Sequence, residues 1–171
     1  IRQQGSALQQ LAADEAALNK LIGSLRDLLA DIPADLGDER PFGRQKGRLP
    51  WPHKGRLLAD YGAPKSGGKL RWNGVWIAGE AGSPVRAVAR GRVAYVGWMH
   101  RYGLIAVLEH PGGYYTLYGH NQAVHKGVGE WVQPGETLAS LGDTGGHEQA
   151  GLYFEIRKGT DPLNPRPWLG S

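Results

Sequence analysis

The chain has 171 residues, with 20 Lys and Arg against 16 Asp and Glu for a formal net charge of +4, and no cysteine. That is room for one ordinary domain with an appendage, and it excludes a disulfide scaffold, a thiol nucleophile and any zinc site built on Cys, leaving metal chemistry to the six His. No run of ~18 apolar residues occurs and the start IRQQGSALQQ has no charged-then-apolar pattern, so neither a membrane span nor an export signal is expected within the chain, and an upstream signal stays open.

The chain divides near Pro41. Residues 1–41 hold three Gly and no aromatic residue, whereas 42–171 hold the other 24 Gly and every Trp, Tyr and Phe. Four basic and seven acidic residues give the first part −3, and sixteen against nine give the second +7. An acidic arm precedes a basic body, although a Debye length of ~8 Å makes net charge a weak guide to contact. Within the arm Leu8, Leu11, Glu15, Leu18, Ile22, Leu25 and Leu29 step by three and four, the spacing of one helical face, and predict a helix over 6–30. The seam is narrow and already running at Ile1, as at the end of a coiled coil that continues upstream. Pro33 ends the helix. Two readings stand: a solubilising coiled-coil stub, or a regulatory helix packed on the body.

From Gly47 onward short apolar alternations are cut by turn signals such as Pro111-Gly112-Gly113 and Pro134-Gly135, the mark of an all-β domain. The strand candidates are 85–88, 92–96, 104–109, 114–118, 137–141 and 152–157. Strands this short and frequent predict a mainly β fold, a barrel or sandwich, behind an α-helical arm.

The order Gly74-Val75-Trp76-Ile77, Gly82-Ser83-Pro84-Val85-Arg86-Ala87-Val88, Tyr118-Gly119-His120, Val132-Gln133-Pro134-Gly135, Gly142-Asp143-Thr144-Gly145 and Leu152-Tyr153-Phe154-Glu155 resembles the LytM domain of the M23 zinc endopeptidases. Arg48-Leu49-Pro50-Trp51-Pro52, Leu70-Arg71-Trp72, the continuation through Ile156-Arg157 and the ending Asn164-Pro165-Arg166-Pro167-Trp168-Leu169-Gly170 are similar to EnvC-type murein hydrolase activators in particular. The resemblance implies a helical arm over 1–41 and a degenerate LytM domain over 42–171.

Active members of the wider family hold zinc with H-x-x-x-D and the second His of H-x-H. The resemblance aligns those ligands with Trp72, Trp76 and Tyr153, puts Gly151 at the catalytic first His of H-x-H, and leaves His120 as the surviving histidine. An indole has no lone pair for a metal, and a phenol of pKa about 10 is a poor zinc ligand. One histidine holds no catalytic zinc, so the expectation is no peptidase activity and no cofactor. His53, His100, His110, His125 and His147 show no H-x-x-x-H or H-x-H spacing. His110 and His120 are expected to be structural, hydrogen-bonded at the rim of the old cleft.

What remains is a groove lined with Trp and Tyr, the composition of interaction hot spots. In EnvC-type activators it binds a periplasmic N-acetylmuramoyl-L-alanine amidase during septal peptidoglycan cleavage at cell division. The positions implied here are Arg86, Tyr102, Ile105, Tyr118, Tyr153 and Arg157, with barrel core as the competing role for Tyr118, Ile105 and Tyr153. Tyr153 and Arg157 lie four apart on a strand and so share a face. Family members receive their signal from the FtsEX transporter through an upstream coiled coil absent from this chain. No nucleic-acid partner is expected. The apolar face of Leu11, Leu18, Ile22, Leu25 and Leu29, or the strap after it, is expected to cover the groove and inhibit it; the competing outcome is a coiled-coil dimer through the same leucines. Peptidoglycan binding without hydrolysis is the alternative function, and a zinc endopeptidase the weaker one.

Overall fold

The computed structural model describes residues 2–29, 41–65, 68, 70–145 and 149–170, and within the helix the side chains of residues 9–25. Helix α1, Arg2–Leu29, starts ahead of the leucine pattern that predicted it. Its 28 residues make a rod of about 42 Å, long enough to cross a small sheet. The proposed strap falls in 30–40, outside the described residues. No helix among the described residues is long and apolar enough to cross a membrane.

Among the described residues, twelve strands follow the 3-10 turn Phe42–Gln45. They are β1 Leu57–Ala59, β2 Pro64–Lys65, β3 Leu70–Arg71, β4 Val75–Ala78, β5 Pro84–Arg86, β6 Gly91–Met99, β7 Gly103–His110, β8 Tyr114–Val124, β9 Trp131–Val132, β10 Thr137–Leu141, β11 Gly151–Lys158 and β12 Asp161–Leu163. The fold is mainly β behind one helix, as expected. All six strand candidates are present, and β10 has the expected bounds. β1, β2, β3, β4, β9 and β12, of two to four residues each, are not among the candidates; segments so short show little alternation and exist through pairing with other strands.

The main sheet runs β1-β4-β11-β8-β7-β6-β9, and β10 branches from β8 to pair with β5. Every pairing is antiparallel. Alternation sorts the two faces. Leu152, Phe154 and Ile156 of β11, Ala106 and Leu108 of β7 and Tyr118 of β8 enter a core closed from the other side by Val85, Leu138 and Leu141 and, at one end, by Phe42 and Trp168. Tyr153 of β11, Ile105 and Val107 of β7 and Tyr115 and Leu117 of β8 face the opposite way, against Leu18, Ile22 and Leu25 of α1. The sheet therefore has an apolar load on both faces, and the helix covers the second.

Gly74 permits the close approach of β4 and β11: a Cβ there would lie 2.3 Å from the Phe154 carbonyl oxygen and 2.8 Å from Cγ of Glu155. His110 sits in the core stacked on Phe42, ring centroids 4.6 Å apart, rather than at the cleft rim; it ends β7 on the core-facing side, where Leu108 also points. Its Nδ1 lies 2.8 Å from the Arg90 carbonyl, which only accepts, so Nδ1 carries the proton and Nε2 accepts from the Thr116 hydroxyl at 2.7 Å.

Burial lowers the His110 pKa from 6.5 to about 4, with the Arg90 hydrogen bond partly opposing. The ring must be neutral in the fold, so its contribution is complete above the unfolded value near 6.5 and is lost as pH falls toward about 4. That window carries roughly 3 kcal/mol at 1.36 kcal/mol per pKa unit. Urea unfolding at pH 7 and 4.5 should therefore show the parent chain losing about 2 kcal/mol more than His110→Gln. Equal losses would place the acid sensitivity elsewhere.

Candidate functional site

On β11 the outward positions are Tyr153, Glu155 and Arg157, two residues apart along one face. Glu155 and Arg157 are fully buried, at 0% and 1% exposure. The Tyr153 hydroxyl donates to Glu155 Oε2, and Arg157 Nε donates to Glu155 Oε1 at 2.5 Å. Arg157 Nη1 reaches the Thr160 carbonyl at 2.9 Å and the side-chain oxygen of Asn19 on α1 at 2.5 Å. A buried ion pair survives only when its remaining hydrogen-bonding groups are matched, and here the helix supplies one of the matches.

The arm makes two more polar contacts. Asp14, itself buried, takes His100 Nδ1 at 3.0 Å and Arg101 Nε at 3.1 Å. Glu15, the one polar break in the leucine seam, pairs with Lys65 at 3.0 Å, whose ammonium also sits 4.8 Å from the Trp72 ring centroid. The break therefore places a charge where β2 offers a cation. His100 and Arg101 are largely exposed, so these pairs contribute at the modest end of the scale and set register more than affinity.

Beside this line lies an aromatic cluster. Trp72 is 6.2 Å from Trp76 and 6.1 Å from Tyr153, and the His120 ring is 6.1 Å from Trp76 and 6.2 Å from Tyr153. Tyr102 packs at a tilt against Tyr153, ring centroids 5.6 Å apart. His120 has φ 65, left-handed for a non-glycine residue, next to a register irregularity between β7 and β8; the break in alternation re-aims its ring out of the core and toward Tyr153. Its Nδ1 meets the Thr144 carbonyl at 2.8 Å. A cavity of about 220 Å³ separates Leu11 and Glu15 of the arm from Trp72, Tyr102, His120 and Tyr153 of the body.

Of the implied binding residues, the fold brings together Tyr102, Ile105, Tyr153 and Arg157, all beneath α1. Tyr118 does not belong with them. It lies in the core with its hydroxyl 3.2 Å from Val88 N and 3.0 Å from Thr116 Oγ1. The period of two carried that information: Tyr115 and Leu117 face the helix, so Tyr118 faces away. Arg86 also stands apart, exposed on β5, with Nη1 donating to the Gly135 carbonyl at 3.2 Å. Of the arm residues, Leu18, Ile22 and Leu25 are buried on the sheet and Leu11 lines the cavity; the side chain of Leu29 lies outside the described residues. Asp14, Glu15, Asn19, Lys65, His100, Arg101 and Glu155 were missed as site residues. For Glu155 a signal existed, since it lies between Tyr153 and Arg157 on the same strand face.

The fold and site define a two-faced β domain whose groove is aromatic and covered by the chain's own helix. Residues 70–165 match peptidase family M23, and the chain belongs to that family. It is 42% identical over 129 residues to the murein hydrolase activator EnvC of Escherichia coli strain K12, which covers 75% of this chain and 30% of that protein. It is 34% identical over 120 residues to the murein hydrolase activator NlpD of the same organism, covering 70% and 30%. A crystal structure of a zinc-containing peptidase from Vibrio cholerae shares the fold, with a TM-score of 0.64 at 24% identity over 70% of this chain and 39% of that one. The chain thus spans about 30% of the length of these two activators.

The zinc of the family does not fit the residues present. Trp72 and Trp76 offer N–H groups and no lone pair. Burial, then the neighbouring Glu155 carboxylate, holds the Tyr153 phenol well above its usual pKa, so it remains a protonated donor. Burial and the same carboxylate raise Tyr102 likewise. Among the described residues, His120 alone brings a metal-competent nitrogen to the cluster. Dialysis of the chain against equimolar zinc, followed by elemental analysis, should leave far less than one zinc per chain; a ratio near one that survives mild chelation would overturn this assignment.

Proposed function

We propose that this chain is a non-catalytic activator of a periplasmic N-acetylmuramoyl-L-alanine amidase in septal peptidoglycan cleavage during cell division. In this reading the groove around Tyr153 and Arg157 is the amidase contact and α1 keeps it closed. An upstream coiled coil, driven by the FtsEX transporter, then draws the arm away. The observation that carries the reading is the cover itself: Leu18, Ile22 and Leu25 bury their side chains on Tyr102, Ile105, Tyr115 and Tyr153, while Asn19 takes the Arg157 hydrogen bond. A surface of aromatic anchors around a central arginine is the composition of a binding hot spot. The printed names of the E. coli relatives, murein hydrolase activators both, support the same reading, as does a donor set unsuited to zinc.

Closure has the energetics of a switch. Three buried aliphatic side chains contribute about 5–8 kcal/mol before the cost of ordering the helix. The polar contacts add little beyond register. A net of a few kcal/mol holds the closed state dominant and remains within reach of a competing partner or a pull on the arm.

Two outcomes test the reading. Tyr153→Ala and Arg157→Ala should each lower activation of a purified amidase, read as dye release from murein, by about tenfold or more with far-UV circular dichroism and a cooperative urea transition retained. Full activation by both folded variants would exclude the groove, and retention on murein without amidase would favour the peptidoglycan-binding alternative. Separately, Leu18→Glu with Ile22→Glu in the complete chain should raise activation severalfold at equal concentration, because two carboxylates cannot stay buried on the sheet unpaired. Unchanged activation would make the arm a stub. A concentration-dependent dimer of the parent chain, lost in the double variant, would assign the leucine seam to a coiled coil instead.

A further inference from the structure

A buried carboxylate beside two proposed anchors has a purpose that neither zinc nor core packing supplies. Glu155 is fully buried on the sheet face covered by Leu18, Ile22 and Leu25 of the arm. Its stem is held by the close approach of Gly74, where a Cβ would come within 2.8 Å of Cγ. Its two oxygens are divided, one to the Tyr153 hydroxyl and one to Arg157 Nε. Burying an ion pair is not in itself stabilising relative to apolar residues of the same size. What the arrangement does is fix geometry. With Nε engaged by Glu155 and Nη1 by the Thr160 carbonyl at 2.9 Å, the planar guanidinium has one orientation, and the same Nη1 points at Asn19 of the arm. The tyrosine ring is tied to the same carboxylate, so the two anchors are held at a set separation before any partner arrives.

We infer that Glu155 is a positioning residue of the partner-binding groove, which sets Tyr153 and Arg157 in the orientation that an incoming acceptor must match in place of Asn19. The inference rests on the proposed activator reading. It places the partner's polar group at the position the Asn19 carbonyl oxygen now occupies, and it makes the arm a competitor for one hydrogen bond as well as an apolar cover.

The test uses the complete chain, both as it stands and opened by Leu18→Glu with Ile22→Glu, with Glu155→Gln, Arg157→Ala and their combination in each background. Glu155→Gln keeps the size of the side chain and removes the charge that orients the fork. The expected result is a folded protein whose half-saturating concentration for amidase activation rises about tenfold, with maximal activation approached at high concentration. The combined variant should lose less than the two single effects multiplied together, because part of what Glu155 does passes through Arg157 and the rest through Tyr153. The Arg157 Nε–H resonance, expected to be slowly exchanging in the parent, should move to the position of a free arginine. If Glu155→Gln does not fold, Glu155→Asp retains the charge beside Arg157 but is one methylene short of bridging both partners, and the same shift in half-saturation is expected of it. A folded Glu155 variant that activates like the parent while Arg157→Ala fails overturns the positioning role and leaves the groove reading intact. Normal activation by Arg157→Ala itself overturns both.

Discussion

Everything on the helix side of the sheet turns on the Glu155–Arg157 ion pair. Two charges taken out of water need every hydrogen-bonding group around them matched. Tyr153, Thr160 and Asn19 provide those matches. Two of the three belong to the sheet and its turn, and the third comes from α1. The arm is thus part of the solvation of the pair, and moving it exchanges Asn19 for water or for another acceptor. An apolar seam alone would slide along a flat face; a hydrogen bond to a fixed guanidinium gives the helix one register, which Asp14 on His100 and Arg101 and Glu15 on Lys65 reinforce.

The aromatic cluster has a second physical role. A cleft of this size left empty would be costly in lost contacts. Trp72, Trp76 and Tyr153 fill it by ring contacts, with His120 and Tyr102 at their edges. Rigid rings with few rotatable bonds also lose little entropy when they are packed against. The filling is incomplete, and the cavity beneath Leu11 and Glu15 marks where arm and body meet least closely.

The core-facing side of the sheet is independent of this. His110, Thr116 and Tyr118 run a hydrogen-bonded line through an apolar interior, satisfying groups that would otherwise be orphaned. Its acid sensitivity belongs to the fold, because its members lie on the core-facing side of the sheet.

The sequence by itself determined the helical arm, the β body, six of the strands and the chemistry of Trp72, Trp76 and Tyr153, because each rests on local spacing or on side-chain chemistry that no packing alters. An indole at Trp76 lacks a metal lone pair wherever it sits. The pairing of Tyr153 with Arg157 was equally legible, since alternation along one strand is a local rule. Tertiary structure decided the rest. Tyr118 lies in the core because Tyr115 and Leu117 are the β8 residues that meet the helix. Arg86 stands apart from the groove because β5 pairs with β10. The arm's place on this sheet face was also beyond the sequence, as the same leucines would suit a second helix. Three arm residues fix its register, Asp14 on His100 and Arg101, Glu15 on Lys65 and Asn19 on Arg157, joining residues 50 to 138 positions apart, and no local pattern records a hydrogen bond made across such a distance.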